Sequence, residues 1–388
     1  AYKSAEIVRL LVKAEANVRV VMTKNAQTFI TPLTLQTLSG NPVSTETFSL
    51  TQESEIGHIR LADTTDLILI APATANMIAK LAHGLADDLL STVLLVTRAP
   101  VVIAPAMNVH MQAHPITQEN LKKLQSVGHS IVEPSEGELA CGYEGKGRLA
   151  DLDQILECVE AALTKKDMQG EHVIVTAGPN CEAIDPVRFI TNRSTGKMGF
   201  AMARIARHRG AEVTLVGGPT SLTPPSGVRF CAVRTALEMQ QAVLEYYPRA
   251  TMVVSAAAIA DYRPTQIASQ KIKKQDSGFS ITLDQNPDIL AGLGQDKGSR
   301  LLVGFATETE NVVQNAERKL RSKNLDMIVA NDVTQEGAGF GGDTNIVTLL
   351  DRAGNQEALP LMSKDDVAHA VYDRLFALKN GSGKSKKG

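Results

Sequence analysis

A chain of 388 residues is too long for one ordinary hydrophobic core and implies two domains. With 43% hydrophobic and 21% charged residues, net charge −2, no Trp and few aromatics, it reads as globular and lacks the charge or stacking platforms for nucleic acid or an acidic membrane surface. No apolar run reaches the roughly 18 residues of a membrane span, and the scattered Cys141, Cys158, Cys181 and Cys231 have no C-x-x-C spacing for zinc or a disulfide framework, so a reducing cytoplasm is expected.

The opening residues read as a helix running into a strand at Val18–Met22, "VRVVM". Because α/β domains usually open with a strand and a Gly-rich turn, both are expected to precede Ala1 in the native protein. Strands "DLILIAPAT" and "VVIAPAM" follow, with one helix, "NMIAKLAHGLADDLLSTVLLVT", between them. A helical stretch near Leu152–Lys165 leads into polar "KKDMQGE", which marks the boundary between expected domains 1–168 and 169–379. The second begins with strand "HVIVTAGP", helix "GKMGFAMARIARHRG" stopped at Gly210, and strand "AEVTLVGGP". Further strands are "RFCAV", "TMVVSAAA", "LLVGFAT", "DMIVAND" and "NIVTLL", and the tail 380–388 is expected to be disordered. This alternation predicts an α/β protein of two Rossmann-like domains, with parallel sheets covered on both faces. Ligands in such sheets bind beyond the carboxyl ends of the strands.

In the first half, "APATAN" (Ala71–Asn76) and "APAMNVHM" (Ala104–Met111) leave strands through small residues, with Asn108 at a strand end. "EIGHIRLAD" places His58 just before a helix. Each alone is as readily an ordinary turn or a satisfied side chain. "LACGYEGKGRLAD" (Leu139–Asp151) sets Cys141 among glycines and two basic residues, the composition of a flexible loop and a poor structural element. A cysteine there suggests a lid carrying an acid or nucleophile.

Together, His58 in "GHI", "PATAN", "PAMNVHM" and the Cys141 loop resemble the flavin-containing cysteine decarboxylases, which have a PASANT-type motif, a P-x-M-N-x-x-M motif and a flap cysteine. "PATANM" departs mildly, with Thr for Ser and Met for Thr. In order and spacing, nearly the whole chain resembles the bacterial family of bifunctional phosphopantothenoylcysteine decarboxylases/phosphopantothenate–cysteine ligases. The resemblance implies a flavodoxin-like first domain with FMN as electron sink for the decarboxylation. It implies His58 as base in thiol oxidation, Asn108 as holder of the substrate carboxylate and Cys141 as proton donor. Thr23, Ala73, Thr74, Ala75 and Asn76 would line the flavin. The family's Gly-rich turn, whose N–H groups bind the FMN phosphate, survives here only as "AYK".

In the second half, "ITNRSTGKMGF" (Ile190–Phe200) looks like half a phosphate loop, but Thr191 and Met198 stand where a P-loop needs Gly and Ser or Thr. Hydroxyls and N–H groups at a helix start near Gly196 suit an anion, or an ordinary cap. "SAAAIADYRP" ends a strand before Asp261, "KIKK" (Lys271–Lys274) follows, and "ERKLRSKNLD" puts Lys319 and Lys323 on one helical face. By resemblance, Ser255, Ala256, Ala257, Asp261, Lys271, Pro287, Asp288, Ile289, Leu290, Phe305, Lys319 and Lys323 form a CTP site, with Mg2+ carried on the phosphates. Lys271 would neutralise phosphate charge as an acyl-CMP forms from 4'-phosphopantothenate, and Asn192 would act as that intermediate is converted by cysteine. The product, 4'-phosphopantothenoylcysteine, would then feed the decarboxylase. The resemblance also implies a homo-oligomer, a dodecamer of flavin-domain trimers and ligase-domain dimers. A dinucleotide-dependent oxidoreductase is the alternative, weakened because no G-x-G-x-x-G follows a strand. Against a non-catalytic flavoprotein-like subunit stand His58, Asn108 and Cys141 together.

Overall fold

The structure is a computed structural model that describes all residues except 48–56, 139–141, 143, 275–278, 309, 333–338, 340 and 383–388. The chain divides into two compact units, Ala1–Thr164 and Lys165–Gly388, both of α/β type.

The first unit contains α1 (Tyr2–Lys13), α2 (Pro32–Ser39), α3 (Gly57–Asp63), β1 (Ile68–Ala73), α4 (Ala75–His83), α5 (Leu89–Val96), β2 (Val101–Pro105), α6 (Val109–Ala113), α7 (Pro115–Ser126), β3 (Ser130–Ile131), β4 (Ser135–Glu138), β5 (Glu144–Arg148) and α8 (Leu152–Leu163). Strands β1, β2 and β3 form a parallel sheet in that order. Alternation along β2 serves both faces: Val101 and Ile103 pack with Met77, Ile78, Leu121 and Leu124, while Val102 and Ala104 pack with Ile7 and Ile155. A central parallel strand covered on both sides must be apolar throughout, as "VVIAP" is.

Three expectations are corrected in this unit. Val18–Met22 forms no strand, only a single parallel bridge between Val21 and Ser44. Pro42 has no N–H with which to extend that ladder, and the Asn41 side-chain amide donates to the Val18 carbonyl instead, at 2.8 Å. The single helix expected after "APAT" is two. Gly84, at φ 67°, ends α4, and a reciprocal cap between Asp88 and Ser91 starts α5. Lys80 binds both Asp87 (2.6 Å) and Asp88 (2.8 Å) across the break. The Gly-rich stretch after Glu138, read as a flexible loop, returns as β5 in an antiparallel hairpin with β4.

The second unit contains β6 (His172–Ala177), β7 (Cys181–Ala183), β8 (Phe189–Thr191), α9 (Lys197–His208), β9 (Glu212–Gly217), β10 (Arg229–Ala232), α10 (Ala236–Tyr246), β11 (Met252–Ser255), β12 (Tyr262–Pro264), β13 (Leu283–Gln285), α11 (Ile289–Gln295), β14 (Leu301–Glu308), α12 (Val312–Ser322), β15 (Met327–Asp332), β16 (Thr344–Asn345), β17 (Val347–Asp351), β18 (Gln356–Ala358), β19 (Met362–Ser363) and α13 (Lys364–Ser382). Its main sheet runs β10-β9-β6-β11-β14-β15-β17-β18. On one face, Val173 and Val175 of β6 meet α9 and α13; on the other, Ile174 shares a core with α10, α11 and α12. The expectation of a wholly parallel sheet fails at one edge, where β17 and β18 are antiparallel. The short turn between them, with Gly354 at φ 87°, cannot make the crossover that parallel pairing requires.

Two arginines clamp α13. Buried Arg209 forks onto Asp167 (2.8 Å to each oxygen) and donates to Asp373 at 2.6 Å. Arg374 donates to Asp351 at 2.6 Å. The helix continues past Lys379, which pairs with Glu171, so residues 380–382, expected in a disordered tail, are helical. Adding residues to an existing helix costs little compared with nucleating one. Residues 383–388 lie outside the described ones.

The clamps give an acid prediction. The Arg209 guanidinium holds the Asp167 carboxyl below the ordinary carboxylate range. Burial pushes Asp351 up, but Asn355 and Arg374 outweigh it and hold that carboxyl low as well. A folded pKa below the unfolded value, about 3.9, favours the ionised folded form. This contribution is complete above that value and is lost as pH falls through the lowered pKa. Urea unfolding between neutral pH and about pH 3 should therefore show a steep acid loss. Asp351→Asn, less stable at neutral pH, should show a shallower one; an unchanged slope would remove Asp351 from the account.

Candidate functional sites

In the first unit, the strand ends and the hairpin meet through backbone bonds. The Ala106 N–H donates to the Ala73 carbonyl at 3.0 Å, and the next residue, Met107, donates to the Gly147 carbonyl at 2.9 Å. The end of β1, the residues after β2 and strand β5 are thus tied together. Ala73 is fully buried; Thr74 caps α4 by accepting from the Met77 N–H; Ala75 and Asn76 open its first turn. Asn108 caps α6, its Oδ1 accepting from the His110 N–H at 2.9 Å. Thr23 accepts from the Ala26 N–H at 3.3 Å in a turn of its own.

His58 is the second residue of α3 rather than the residue before it. This short helix packs on α5 through Ala62, Leu89 and Val93. The Nδ1 of His58 is buried and meets no hydrogen-bond partner among the described residues. A buried imidazole nitrogen without a partner is costly in a purely structural role, and is suited to a group that arrives. Cys141 lies outside the described residues, beyond the end of β4.

In the second unit, several of the expected residues are linked by hydrogen bonds beyond the carboxyl ends of the strands. Beyond β11, Ala256 donates to the Thr176 carbonyl (3.2 Å) and Ala257 to its hydroxyl (3.3 Å). The Asn192 amide donates to the Ala258 carbonyl at 3.1 Å. Asn286 donates its N–H to the Asp261 carbonyl at 2.8 Å, which places Pro287 and Asp288 beside Asp261. Asp288 caps α11 and pairs with Lys323 at 2.8 Å. Burial pushes the Asp288 carboxyl up, but Lys323, the Ala291 N–H and the Lys319 charge together hold it below its ordinary range. Ser255 pairs in register with Gly304, so Phe305 follows one residue along the adjacent strand, half-buried against the core. Ile289 and Leu290 are core residues, so only their backbone groups are open to a ligand. Lys271 is exposed in a segment without regular structure.

Sequence reasoning passed over the polar residues beneath these contacts. Asn180, Glu182 and Asp185 are all buried in and beside β7. Asn180 accepts from the Ala260 N–H (2.6 Å) and donates to Glu182, which also accepts from the Ala236 N–H (2.8 Å) and the Asn286 amide (3.4 Å). The available signal was two acids and an amide within "PNCEAID", a stretch too short and irregular for an exposed helix face. Three glycines close the nearby end of β6. A Cβ on Gly218 would lie 1.7 Å from the Pro179 carbonyl oxygen, and one on Gly196 would lie 3.3 Å from Gly178.

Residues 1–164 match the family model described as Flavoprotein, and residues 168–378 match the DNA/pantothenate metabolism flavoprotein C-terminal domain. The chain is 50% identical to the coenzyme A biosynthesis bifunctional protein CoaBC of Bacillus subtilis over 98% of this chain and 95% of that protein. To its counterpart from Haemophilus influenzae it is 49% identical over 97% of this chain and 94% of that one. A solved C-terminal domain of a coenzyme A biosynthesis bifunctional protein CoaBC is 42% identical, covering 56% of this chain and 100% of that one, with TM-score 0.48. Two family models in order, and relatives matched along nearly their whole length, lead to one assignment: the chain belongs to the family of bifunctional coenzyme A biosynthesis flavoproteins.

Proposed function

We propose that the chain performs two consecutive steps of coenzyme A synthesis. The second unit joins cysteine to 4'-phosphopantothenate at the expense of CTP, through an acyl-CMP. The first, with FMN, decarboxylates 4'-phosphopantothenoylcysteine to 4'-phosphopantetheine. Beyond family membership, what supports the reading is the set of contacts Asn192–Ala258, Asp261–Asn286 and Asp288–Lys323 beyond the carboxyl ends of the main-sheet strands.

For ligation, a carboxylate oxygen of 4'-phosphopantothenate attacks the α-phosphorus of CTP, and pyrophosphate leaves. Lys271, Lys319 and Lys323 offset the charge of the phosphates, with Asp288 fixing Lys323, and Mg2+ carried on the CTP would supply further charge neutralisation. The cysteine amine then attacks the acyl carbon; CMP leaves, the amine proton is lost, and the amide remains. Asn192 orients the carboxyl oxygen in both steps.

The residues of the first unit fit a flavin: small, buried strand ends permit close approach, and the buried His58 Nδ1 has no hydrogen-bond partner among the described residues. Thr23 and the segment Ala73–Asn76 would hold it. When bound, FMN supplies a reversible electron acceptor beside the substrate thiol, without which loss of CO2 has no electron sink. His58 takes the thiol proton, Asn108 holds the carboxylate, and Cys141 returns a proton. No helix among the described residues is long and apolar enough to cross a membrane; cytoplasmic location and assembly of trimers and dimers into a dodecamer belong to the proposal.

The test is pyrophosphate release from CTP in the presence of Mg2+ and 4'-phosphopantothenate, followed by cysteine-dependent amide formation. Lys271→Gln should slow acyl-cytidylate formation by on the order of 10²-fold and leave FMN-dependent CO2 release unchanged. Pyrophosphate release that does not require 4'-phosphopantothenate would defeat the ligase assignment.

A further inference from the structure

The turn between β7 and β8 contains a carboxylate that does more than shape the turn. The Oδ1 of Asp185 accepts from the Val187 and Arg188 N–H groups, each at 2.8 Å, which satisfies the turn locally. Its Oδ2 reaches a distant segment and accepts from the Ile272 N–H at 3.2 Å. Arg188 completes a clasp: its Nη2 donates to the Ile272 carbonyl at 2.8 Å, while its Nε lies 3.7 Å from the Asp185 Oδ2. A third bond runs from the Ala268 N–H to the Ile184 carbonyl at 3.0 Å. Both backbone polar groups of Ile272, the residue directly after Lys271, are therefore held by this one turn.

The same hairpin leads out of β8 into Asn192, whose amide binds the Ala258 carbonyl. The two groups assigned to acyl-nucleotide chemistry thus hang from opposite ends of one small structure, and Asp185 locks its turn. The side chain of Asp185 is fully buried, which for a charge demands a return. Asparagine would close the turn, but its single acceptor oxygen cannot serve both the turn and the Ile272 N–H. Burial pushes the carboxyl up, yet the N–H groups of Val187, Arg188 and Ile272 outweigh it and hold it below the ordinary range, so both oxygens accept at neutral pH.

We infer that Asp185 is a positioning residue of the ligase, holding the backbone at Lys271 so that the ammonium group meets the phosphates at a fixed distance from Asn192. This rests on the assignment of Lys271 to the nucleotide.

The experiment is a double-mutant cycle on the full chain, read by the single-turnover rate of pyrophosphate release at saturating CTP. Asp185→Asn should lower that rate by about 10- to 100-fold, since misplacement by about 1 Å can cost that much. On a Lys271→Gln background the same change should cost less than about 3-fold, because there is no ammonium group left to misplace. Arg188→Gln opens the other half of the clasp from an exposed side chain, so it provides a folded comparison if Asp185→Asn does not accumulate, and should show the same dependence on Lys271. Trypsin should cleave after Lys271 faster in either variant while the melting temperature stays within a few degrees.

Equal losses on both backgrounds would reduce Asp185 to a fold-stabilising residue and overturn the inference. So would a wild-type rate in both variants with the loop demonstrably opened. Undiminished acyl-cytidylate formation by Lys271→Gln alone would instead refute the assignment of Lys271, and the inference with it.

Discussion

Replacing Gly147 by alanine is expected to slow decarboxylation by on the order of 10²-fold while ligation proceeds at its normal rate. The cause is steric. A Cβ on Gly147 would lie 2.4 Å from the Met107 carbonyl oxygen, 3.4 Å from the Val109 nitrogen and 3.5 Å from the Asn108 carbonyl carbon. All three are backbone atoms of the segment that carries Asn108, so no side chain can rotate away. Strand β5 must retreat by about 1 Å, stretching or breaking the bond from the Met107 N–H to the Gly147 carbonyl. If Asn108 holds the substrate carboxylate, as proposed, the strain falls on the backbone that positions it. The ligase residues belong to the other unit, with its own cores, and have no part in this contact. CO2 release and CTP-dependent pyrophosphate release should be measured on one preparation. Parallel loss of both would point to general misfolding, and retention of both would show that the contact has no bearing on the chemistry. Gly145→Ala adds a milder clash, with Val109 Cγ1 at 3.2 Å, compounded by a φ of 145° that side chains rarely adopt.

What could be read from the residues in advance, and what could not, divides along physical lines. Strands β6, β2 and β11 are short β-branched runs buried on both faces, and nothing else accommodates such a run between helices. The start of α10, where Thr235 and Glu238 cap each other's backbone, was a local signal that the sequence reading passed over. "VRVVM" has the same composition as the true strands but a partner interrupted by Pro42, and pairing is a property of two segments. The hairpin glycines looked like a sign of flexibility because composition cannot distinguish a loop from a strand pressed against another backbone; Gly147 is the second case. For the residues expected to bind a nucleotide, motif resemblance supplied positions but no orientation. Ile289 and Leu290 lie in the expected segment with their side chains turned into the core. The Asp185 clasp joins residues 87 positions apart, beyond the reach of any local periodicity.

The largest effect on stability is expected from Asp326→Ala, which should lower the melting temperature of the ligase unit by about 10 °C. Asp326 binds the Lys297 ammonium at 2.6 Å through Oδ1 and accepts from the Leu302 N–H at 2.8 Å through Oδ2. The side chains are only 8% (Lys297) and 14% (Asp326) exposed, and the remaining contact of the ammonium is a 3.3 Å bond to the Asn324 carbonyl. Removing the carboxylate strands a buried cation, at a cost of about 3–5 kcal/mol. It also frees an N–H near the start of β14, a central strand of the main sheet. At about 2–4 °C per kcal/mol for a domain of this size, the shift should stand out in a calorimetric scan, while decarboxylase activity at room temperature should be intact. The double variant Lys297→Met/Asp326→Leu discriminates between explanations. If the loss comes from the stranded charge, a well-packed apolar pair should recover much of it, leaving mainly the unpaired Leu302 N–H at about 1–3 kcal/mol. If the double variant melts as low as Asp326→Ala, the bond to Leu302 rather than the ion pair stabilises the strand.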